Sequence, residues 1–330
     1  MQRDSDGREG GRPEHAGARP DWVCPSTRAF IEEARRTPGF SRSDLLHGYV
    51  YARWTYLYIS IGTGEHWLAR PLEFLARLWS GLSRRRSAER NDGTTADGYH
   101  GKVMPLEAAR RLVTVGGEIR VGDLEQVIPY PRARAIILRN PDHIVALECP
   151  CRTARRDPCR PLDVCLIVGE PFARFVIEHH PRRARWISAP EAEAILEAEH
   201  ARGHVHHAFF KDAMLDRFYA ICNCCSCCCG AMQAHRNGTP MLASSGFVCR
   251  LDPSLCVGCE LCAESCPFDA LSFEFDAPIV DDALCMGCGV CTSMCETGAL
   301  TLARDPGRGE PLEVLDLRTA SAAAYRQSSD

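Results

Sequence analysis

One cysteine spacing occurs twice in the last third of the chain, and this duplication constrains the fold more than any other feature. Each copy has four cysteines separated by gaps of two, two and three residues. The cysteines are Cys256, Cys259, Cys262 and Cys266 in the first copy and Cys285, Cys288, Cys291 and Cys295 in the second. Each copy also continues alike, into Ala-Leu-Ser-Phe or Ala-Leu-Thr-Leu. We therefore expect two equivalent units, each a cysteine loop followed by a short helix and a short strand.

The chain contains 20 cysteines among its 330 residues. So many cysteines indicate either the disulfides of a secreted protein or the binding of metal. Residues 1–21 are rich in Gly, Arg, Asp and Glu and lack the apolar core of a secretory signal. We expect this segment to be disordered and the protein to be cytoplasmic, where thiols stay reduced. No run of 18 apolar residues occurs, so the sequence predicts no transmembrane helix.

The first cysteine copy is followed by Pro267, and its spacing is that of the two-cluster bacterial ferredoxins. Residues 246–303 resemble bacterial-type ferredoxins with two 4Fe–4S clusters, over about 58 of the 330 residues. The second copy departs from this pattern at Glu296, where the family prefers proline. This difference removes a rigid turn but leaves all four thiols in place.

The resemblance implies that each cluster takes three ligands from one copy and the fourth from the other. Cluster 1 would be bound by Cys256, Cys259, Cys262 and Cys295, and cluster 2 by Cys285, Cys288, Cys291 and Cys266. The spacing suits a cubane, because two-residue gaps let a tight loop bring successive sulfurs to three iron corners. The alternative is two zinc sites, but paired zinc-binding cysteines are usually separated by a longer spacer.

The same segment is strongly acidic. Residues 246–303 contain nine Asp and Glu residues against Arg250 alone, a net charge of −8, whereas the whole chain carries −4. Such a surface would steer the protein toward a redox partner protein with a basic docking patch, although it also serves solubility. This charge distribution gives no support for nucleic-acid binding.

Ten further cysteines lie between residues 102 and 245, which we interpret as a cysteine-rich α+β domain. Neighbouring side chains diverge, so the run of six from 222 to 229 should supply two to four ligands. We expect an additional centre bound by Cys149, Cys151, Cys159 and Cys165, with Cys222, Cys225 and Cys228 as competing ligands. Three alternatives remain for these cysteines. They could bind a third 4Fe–4S cluster, with or without a fourth, or they could bind zinc at one or two sites. They could also form a thiol redox site or simply be buried.

Residues 22–101 are predicted to form a helical segment and a polar linker, and residues 304–330 a tail. Leucines at 68, 72, 75 and 82, with Trp79, define one apolar stripe that three arginines follow at 84–86. This helix could pack on the protein's own core, or residues 67–86 could make peripheral membrane or partner contact. Further predictions are a helix at 105–115, strands at 143–147 and 164–168, and a helix from the Ser188 capping box to about Ala201.

The overall prediction is an α+β protein that ends in a ferredoxin-type two-cluster domain. We expect a non-catalytic electron carrier or a subunit of an oxidoreductase complex, because no catalytic residues can be recognised. An iron–sulfur reductase with its catalytic centre at the middle cysteines is the main alternative, and a cluster-bearing sensor is another. Cys24, Cys249 and the histidines at 204, 206 and 207 are interpreted as structural.

Overall fold

The computed structural model describes residues 23–72, 99–121, 124, 127, 135–274 and 277–313. These residues form helices and mixed sheets, in agreement with the predicted α+β class. The predicted disordered segment, most of the 68–82 stripe and linker, and residues 314–330 lie outside the described part. No helix in the described part is both long and apolar enough to cross a membrane.

Three N-terminal helices pack against the middle domain. They are α1 (Pro25–Arg36), α2 (Arg42–Arg53) and α3 (Thr55–Gly62). Helix α2 begins at Ser41, which forms a reciprocal capping box with Asp44. Helix α1 is fixed by Glu33, whose carboxylate lies 3.0 Å from the buried Arg217 and 2.7 Å from Arg139. These ion pairs attach α1 directly to strands of the sheet.

The middle domain is built on one eight-stranded sheet. Its strands are β1 (Tyr99–Met104), β2 (Ile119–Val121), β3 (Ile136–Leu147), β4 (Cys165–Glu170), β5 (Ala184–Ile187), β6 (Val205–Lys211), β7 (Arg217–Cys224) and β8 (Leu242–Ala243). Their order is β2-β3-β4-β7-β6-β1-β8, with β5 paired to β3. Both faces are covered: Val145 and Leu147 enter one core, while Ile144 and Ala146 enter the other.

Five helices of the described residues complete the middle domain. They are α4 (Leu106–Val113), α5 (Pro150–Thr153), α6 (Phe172–His179), α7 (Ala189–Ala201) and α8 (Gly230–Arg236). Helix α7 begins where the sequence predicts, because the Ser188 side chain accepts a hydrogen bond from the Glu191 amide. The helix predicted at 105–115 and the strand at 164–168 are present, with ends shifted by one or two residues. The strand predicted at 143–147 is the end of β3, which begins seven residues earlier at Ile136.

One boundary was wrong. We expected residues 99–101 in the linker, but they begin β1, which pairs with β6 in antiparallel register. The Tyr99 ring stacks on Phe209 at 5.0 Å, and the His100 ring stacks on Phe210 at 5.9 Å. These contacts come from a strand more than 100 residues away, which explains why local composition did not reveal them.

The C-terminal domain consists of two similar halves. Its elements are β9 (Phe247–Leu251), α9 (Leu261–Glu264), β10 (Leu271–Glu274), β11 (Ala277–Val280), α10 (Val290–Met294) and β12 (Leu300–Arg304), with 3-10 turns at Pro253–Leu255 and Pro306–Arg308. Each half therefore has the predicted order of cysteine loop, short helix and short strand. Strands β9 and β12 pair antiparallel, as do β10 and β11.

The C-terminal domain is attached to the middle domain at both of its ends. At its start, the Ser245 amide donates to the Met286 carbonyl at 3.1 Å, and the Ser245 hydroxyl donates to the Gly287 carbonyl at 2.7 Å. At its end, the Lys102 ammonium donates to the Glu310 carbonyl at 2.7 Å, and Leu312 is buried in a core of the middle domain. The two domains also share a core that contains Cys288.

Candidate metal centres

An outer group of cysteines surrounds a small cavity at the exposed end of the C-terminal domain. The cavity has a volume of about 20 Å³, and the cysteines that line it are Cys256, Cys259, Cys262 and Cys295. We call this set the outer quartet. The first three come from one cysteine copy and the last from the other. Cys259 is exposed, and its neighbour Val257 is 71% exposed, so this end of the domain faces solvent.

An inner group surrounds a second cavity, also of about 20 Å³. Its repeat cysteines are Cys266, Cys285, Cys288 and Cys291, which we call the inner quartet. Three of these thiols are buried and Cys266 is partly buried. Backbone amides point at two of the sulfurs, from Cys249 to Cys285 at 3.4 Å and from Ala270 to Cys266 at 3.3 Å. Four thiols around a cavity, with amides donating to sulfur, are the donor set that a 4Fe–4S cluster needs.

The cysteine loops depend on a left-handed backbone conformation next to the cysteines. Gly287 has φ +64°, and a Cβ atom there would lie 2.2 Å from the Phe247 carbonyl oxygen. Only glycine fits this position, because the loop passes directly against β9. At the next equivalent position the copies differ: Gly289 has φ +82° in the second copy, but Glu260 has φ +64° in the first. The first loop therefore holds a non-glycine residue in a strained conformation.

A third group of cysteines lies in the middle domain, around a cavity of about 80 Å³. Seven cysteines line it. Cys225 also belongs to a neighbouring group described below, and the other six are Cys149, Cys151, Cys165, Cys222, Cys224 and Cys229, which we call the six-thiol group. They form a chain of contacts from Cys222 through Cys165, Cys149, Cys151 and Cys229 to Cys224. Contact with Cys151, together with burial, raises the pKa of Cys149 to about 12. Without a cation, the Cys149 thiol therefore stays protonated.

Strand geometry explains how the six-thiol group assembles. Cys222 and Cys224 lie two residues apart on β7, so both side chains project from the same face of the sheet. Cys165 begins β4, which pairs with β7, and its thiol contacts Cys222. Cys149 directly precedes α5, the short helix that carries Cys151. The strand ends therefore bring these groups together.

A fourth group lies beside it and is more tightly spaced. The sulfur atoms of Cys159, Cys225, Cys227 and Cys228, which we call the compact quartet, all lie within 4.8 Å of one another. The Cys159 and Cys227 sulfurs are 3.0 Å apart, and those of Cys227 and Cys228 are 3.6 Å apart. Residues 226–228 form a turn, so adjacent side chains converge here, whereas along a strand they would diverge. Arg155 donates to the Cys228 carbonyl at 3.2 Å.

The structure divides the seven middle-domain ligands suggested by the sequence. Four of them, Cys149, Cys151, Cys165 and Cys222, lie in the six-thiol group, while Cys159, Cys225 and Cys228 lie in the compact quartet. Cys225 lies at the boundary, since it also lines the cavity of the six-thiol group. Cys224, Cys227 and Cys229 belong to these groups but were not among the predicted ligands. The two-residue spacing of Cys222 and Cys224 could have identified Cys224. Cys227, Cys228 and Cys229 are adjacent, and nothing in the local sequence shows which of them belongs to which group.

The remaining cysteines and histidines, predicted to be structural, differ in how they are placed in the structure. Cys24 is exposed directly before α1, so it differs from the buried hydrophobe that a lone cysteine usually is, and its structural interpretation stays a prediction. Cys249 is buried, but its sulfur lies 3.5 Å from that of Cys291 in the inner quartet. His206 and His207 belong to the core as expected, and burial lowers the pKa of His207 to about 3. This histidine is therefore neutral at physiological pH.

Arg152 connects the elements around both middle-domain groups. Its side chain is 1% exposed and lies 2.5 Å from the carboxylate of Glu199 on α7, which is equally buried. The guanidinium also donates to the carbonyl oxygens of Pro161 and Asn223, at 2.5 and 3.1 Å. One side chain thus ties α5 to α7, to β7 and to the loop that follows Cys159. Such a buried charge is stable only while its partners remain in place.

A larger cavity of about 430 Å³ adjoins the six-thiol group. The two cavities share Tyr51, Ile59, Tyr99, Cys151 and Ala231 as lining residues. The ammonium of Lys211 also lines the larger cavity and lies 4.9 Å from the ring centres of both tyrosines. The cavity thus combines an aromatic wall, one cation and the thiol of Cys151.

Comparison with known proteins identifies only the C-terminal domain. Residues 250–272 and 278–301 each match the 4Fe-4S binding domain family. No curated protein matches the chain, and no solved structure does. The two matched segments contain both cysteine copies but cover far less than half of the chain. The matches therefore support a ferredoxin-type iron–sulfur domain at residues 250–301 and indicate iron–sulfur electron transfer.

Proposed function

We propose that this protein is an electron-wiring subunit or carrier with two 4Fe–4S clusters in crossed ligand sets. The observation that carries the proposal is the exchange of Cys266 and Cys295 between the two cysteine copies. Cys295 lines the cavity of the first copy, and Cys266 lines the cavity of the second. Cluster 1 would be held by the outer quartet and cluster 2 by the inner quartet.

The different surroundings of the two quartets support a route for electron transfer through the protein. A bound 4Fe–4S cluster accepts and donates single electrons. The outer quartet lies at the solvent-exposed end, where Cys259 is accessible to a partner. The inner quartet reaches the middle domain, since Cys288 is buried in a core that also contains Cys224 and Cys229. Electrons would therefore pass between an external protein, the outer quartet, the inner quartet and the middle domain.

Iron analysis tests this proposal as a whole. Anaerobically prepared protein should contain about eight irons and eight acid-labile sulfides in its C-terminal domain. If the six-thiol group binds a third cubane, the total should be about twelve irons. In either case, low-temperature EPR of the reduced protein should show that the two C-terminal clusters interact. A colourless protein without iron would overturn the proposal.

The surface around the outer quartet supports docking to a basic partner. Leu255, Val257 and Leu261 are 46, 71 and 47% exposed. Exposed carboxylates at Glu260 and Glu264 lie within the same loop and helix. An apolar centre beside negative charges suits a redox protein whose own apolar patch is bordered by Lys and Arg.

Charge reversal at this surface should slow docking. We expect Glu260→Lys with Glu264→Lys to lower the second-order rate of electron exchange with a basic redox protein by about tenfold at low salt. High salt should reduce the difference, because it screens exposed charges. Stopped-flow absorbance of the clusters measures this rate.

The matched control is Glu32→Lys, an exposed acid on α1. This variant changes the net charge but not the docking surface, so its rate should stay within about twofold of the wild type. Equal slowing by the α1 and docking-surface variants would argue that overall charge, and not a docking site, controls the rate.

The 430 Å³ cavity favours a second candidate function, a reductase that acts at the middle domain. Its volume suits a small molecule, and Lys211 beside two tyrosine rings suits an anionic acceptor with a planar body. If this is correct, Lys211→Met should weaken binding or turnover of such acceptors at least tenfold without altering iron content. Wild-type protein that reduces no anionic acceptor, while it still exchanges electrons with a protein partner, would favour the carrier.

A further inference from the structure

The spacing of sulfur atoms distinguishes a single metal ion from a cluster. Four sulfurs bound to one tetrahedral zinc ion at about 2.3 Å must lie about 3.8 Å from one another. In a cubane, each cysteine sulfur binds a different iron and projects outward from its corner, so the cysteine sulfurs lie roughly 6 Å apart. The compact quartet falls in the first class, since its sulfurs all lie within 4.8 Å.

The ferredoxin quartets provide an internal comparison. Among the described residues, the compact quartet is the one group of Cys, His, Asp or Glu side chains found with such close ligand atoms. The outer and inner quartets instead surround cavities of about 20 Å³ each. The same structure therefore holds sulfurs apart where the family match indicates clusters and brings them together in the compact quartet.

We propose that the compact quartet binds a single zinc ion, separate from any centre in the six-thiol group. The ion would join Cys159, in the irregular segment between α5 and β4, to Cys225, Cys227 and Cys228 after β7. Its role would be structural, because four protein thiolates leave no open coordination position. The guanidinium of Arg155, which donates to the Cys228 carbonyl, would offset part of the negative charge.

The position of the quartet explains what the ion would do. The segment 154–164 contains no helix or strand and carries Cys159 out to the surface. Its inner end is held by Arg152, which donates to the Pro161 carbonyl. A zinc ion would fix the outer end to the turn at 226–228. The six-thiol group would then be closed on this side by a rigid segment.

Metal analysis of two variants tests the proposal. Cys159→Ser and Cys227→Ser should each lose about one zinc per chain, while iron and acid-labile sulfide stay unchanged. Cys24→Ser is the matched control, because Cys24 is an exposed cysteine directly before α1 and should not affect zinc. Cobalt added to zinc-depleted protein should give the absorption bands of tetrahedral cobalt–thiolate in the wild type and lose them in Cys159→Ser.

The possible results of the metal analysis distinguish failure of the zinc site from failure of the proposed electron-transfer function. Loss of about four irons and four sulfides from Cys159→Ser would show a cubane and overturn the zinc assignment. Loss of one iron without loss of sulfide would show that the site binds a single iron ion, and this result would also overturn the zinc assignment. An unchanged iron content in each variant shows that it has folded. Protein with zinc but no iron would instead contradict the electron-transfer function and leave this site intact.

Discussion

Removing Cys259 and Cys295 together should abolish one cluster and leave the other in place. Both thiols line the outer cavity, although they come from different cysteine copies. The Cys259→Ala, Cys295→Ala double variant should therefore keep about four of the eight C-terminal irons. A double variant is preferable to a single one, because a cluster that loses one thiolate can persist with a replacement ligand.

The matched control is the Cys288→Ala, Cys295→Ala double variant. These residues belong to the same cysteine copy but line different cavities. With crossed ligands, each cluster then loses one thiolate, and the EPR signals of both should change. With uncrossed ligands the results would be reversed: the control would lose one cluster completely and the first double variant would damage both. Iron content together with EPR of the reduced protein separates these outcomes.

Replacing Arg152 by alanine should destabilise the middle domain by about 3 kcal/mol, because it leaves the buried Glu199 without its closest cation. The estimate is at the lower end for a broken buried pair, since Glu199 also lies 3.0 Å from Arg202 and 2.7 Å from His204. The change also removes the hydrogen bonds to Pro161 and Asn223 beside the cysteine groups. Denaturant unfolding followed by circular dichroism, without oxygen, measures the effect.

Arg202→Ala is the matched control, because Arg202 pairs with the same carboxylate but is 46% exposed. Its loss should cost no more than about 1 kcal/mol, because the exposed guanidinium is screened by solvent and Arg152 remains on the carboxylate. The Arg152→Met, Glu199→Met double variant should recover part of the stability lost in Arg152→Ala, since it leaves no buried charge. Equal effects of Arg152→Ala and Arg202→Ala would contradict this account.

The sequence predicts most of the C-terminal domain, because its information is local. The cysteine spacing, its repeat and the turn-forming glycines lie within one segment, and the family match covers the same residues. Helix α7 was also predicted from a local signal, the capping box at Ser188. In each case the residues that determine the structure lie within a few positions of one another.

The middle domain could not be assigned in the same way, since its groups depend on strand pairing. Cys165 meets Cys222 only because β4 pairs with β7, and Cys159 meets Cys227 across 68 positions of sequence. Neither pairing has a signal in the spacing of the cysteines. The start of β1 at Tyr99 depends likewise on distant contacts with β6.

The attachment of the C-terminal domain at both ends has a consequence for how it would work. With Ser245 bonded at its start and Glu310 at its end, the domain cannot swing between two stations as a tethered carrier does. Distances inside the molecule are thereby fixed, and solvent viscosity should have little influence on the internal electron step. The overall rate of electron transfer would be limited by association and dissociation of the partner, and not by motion of the C-terminal domain.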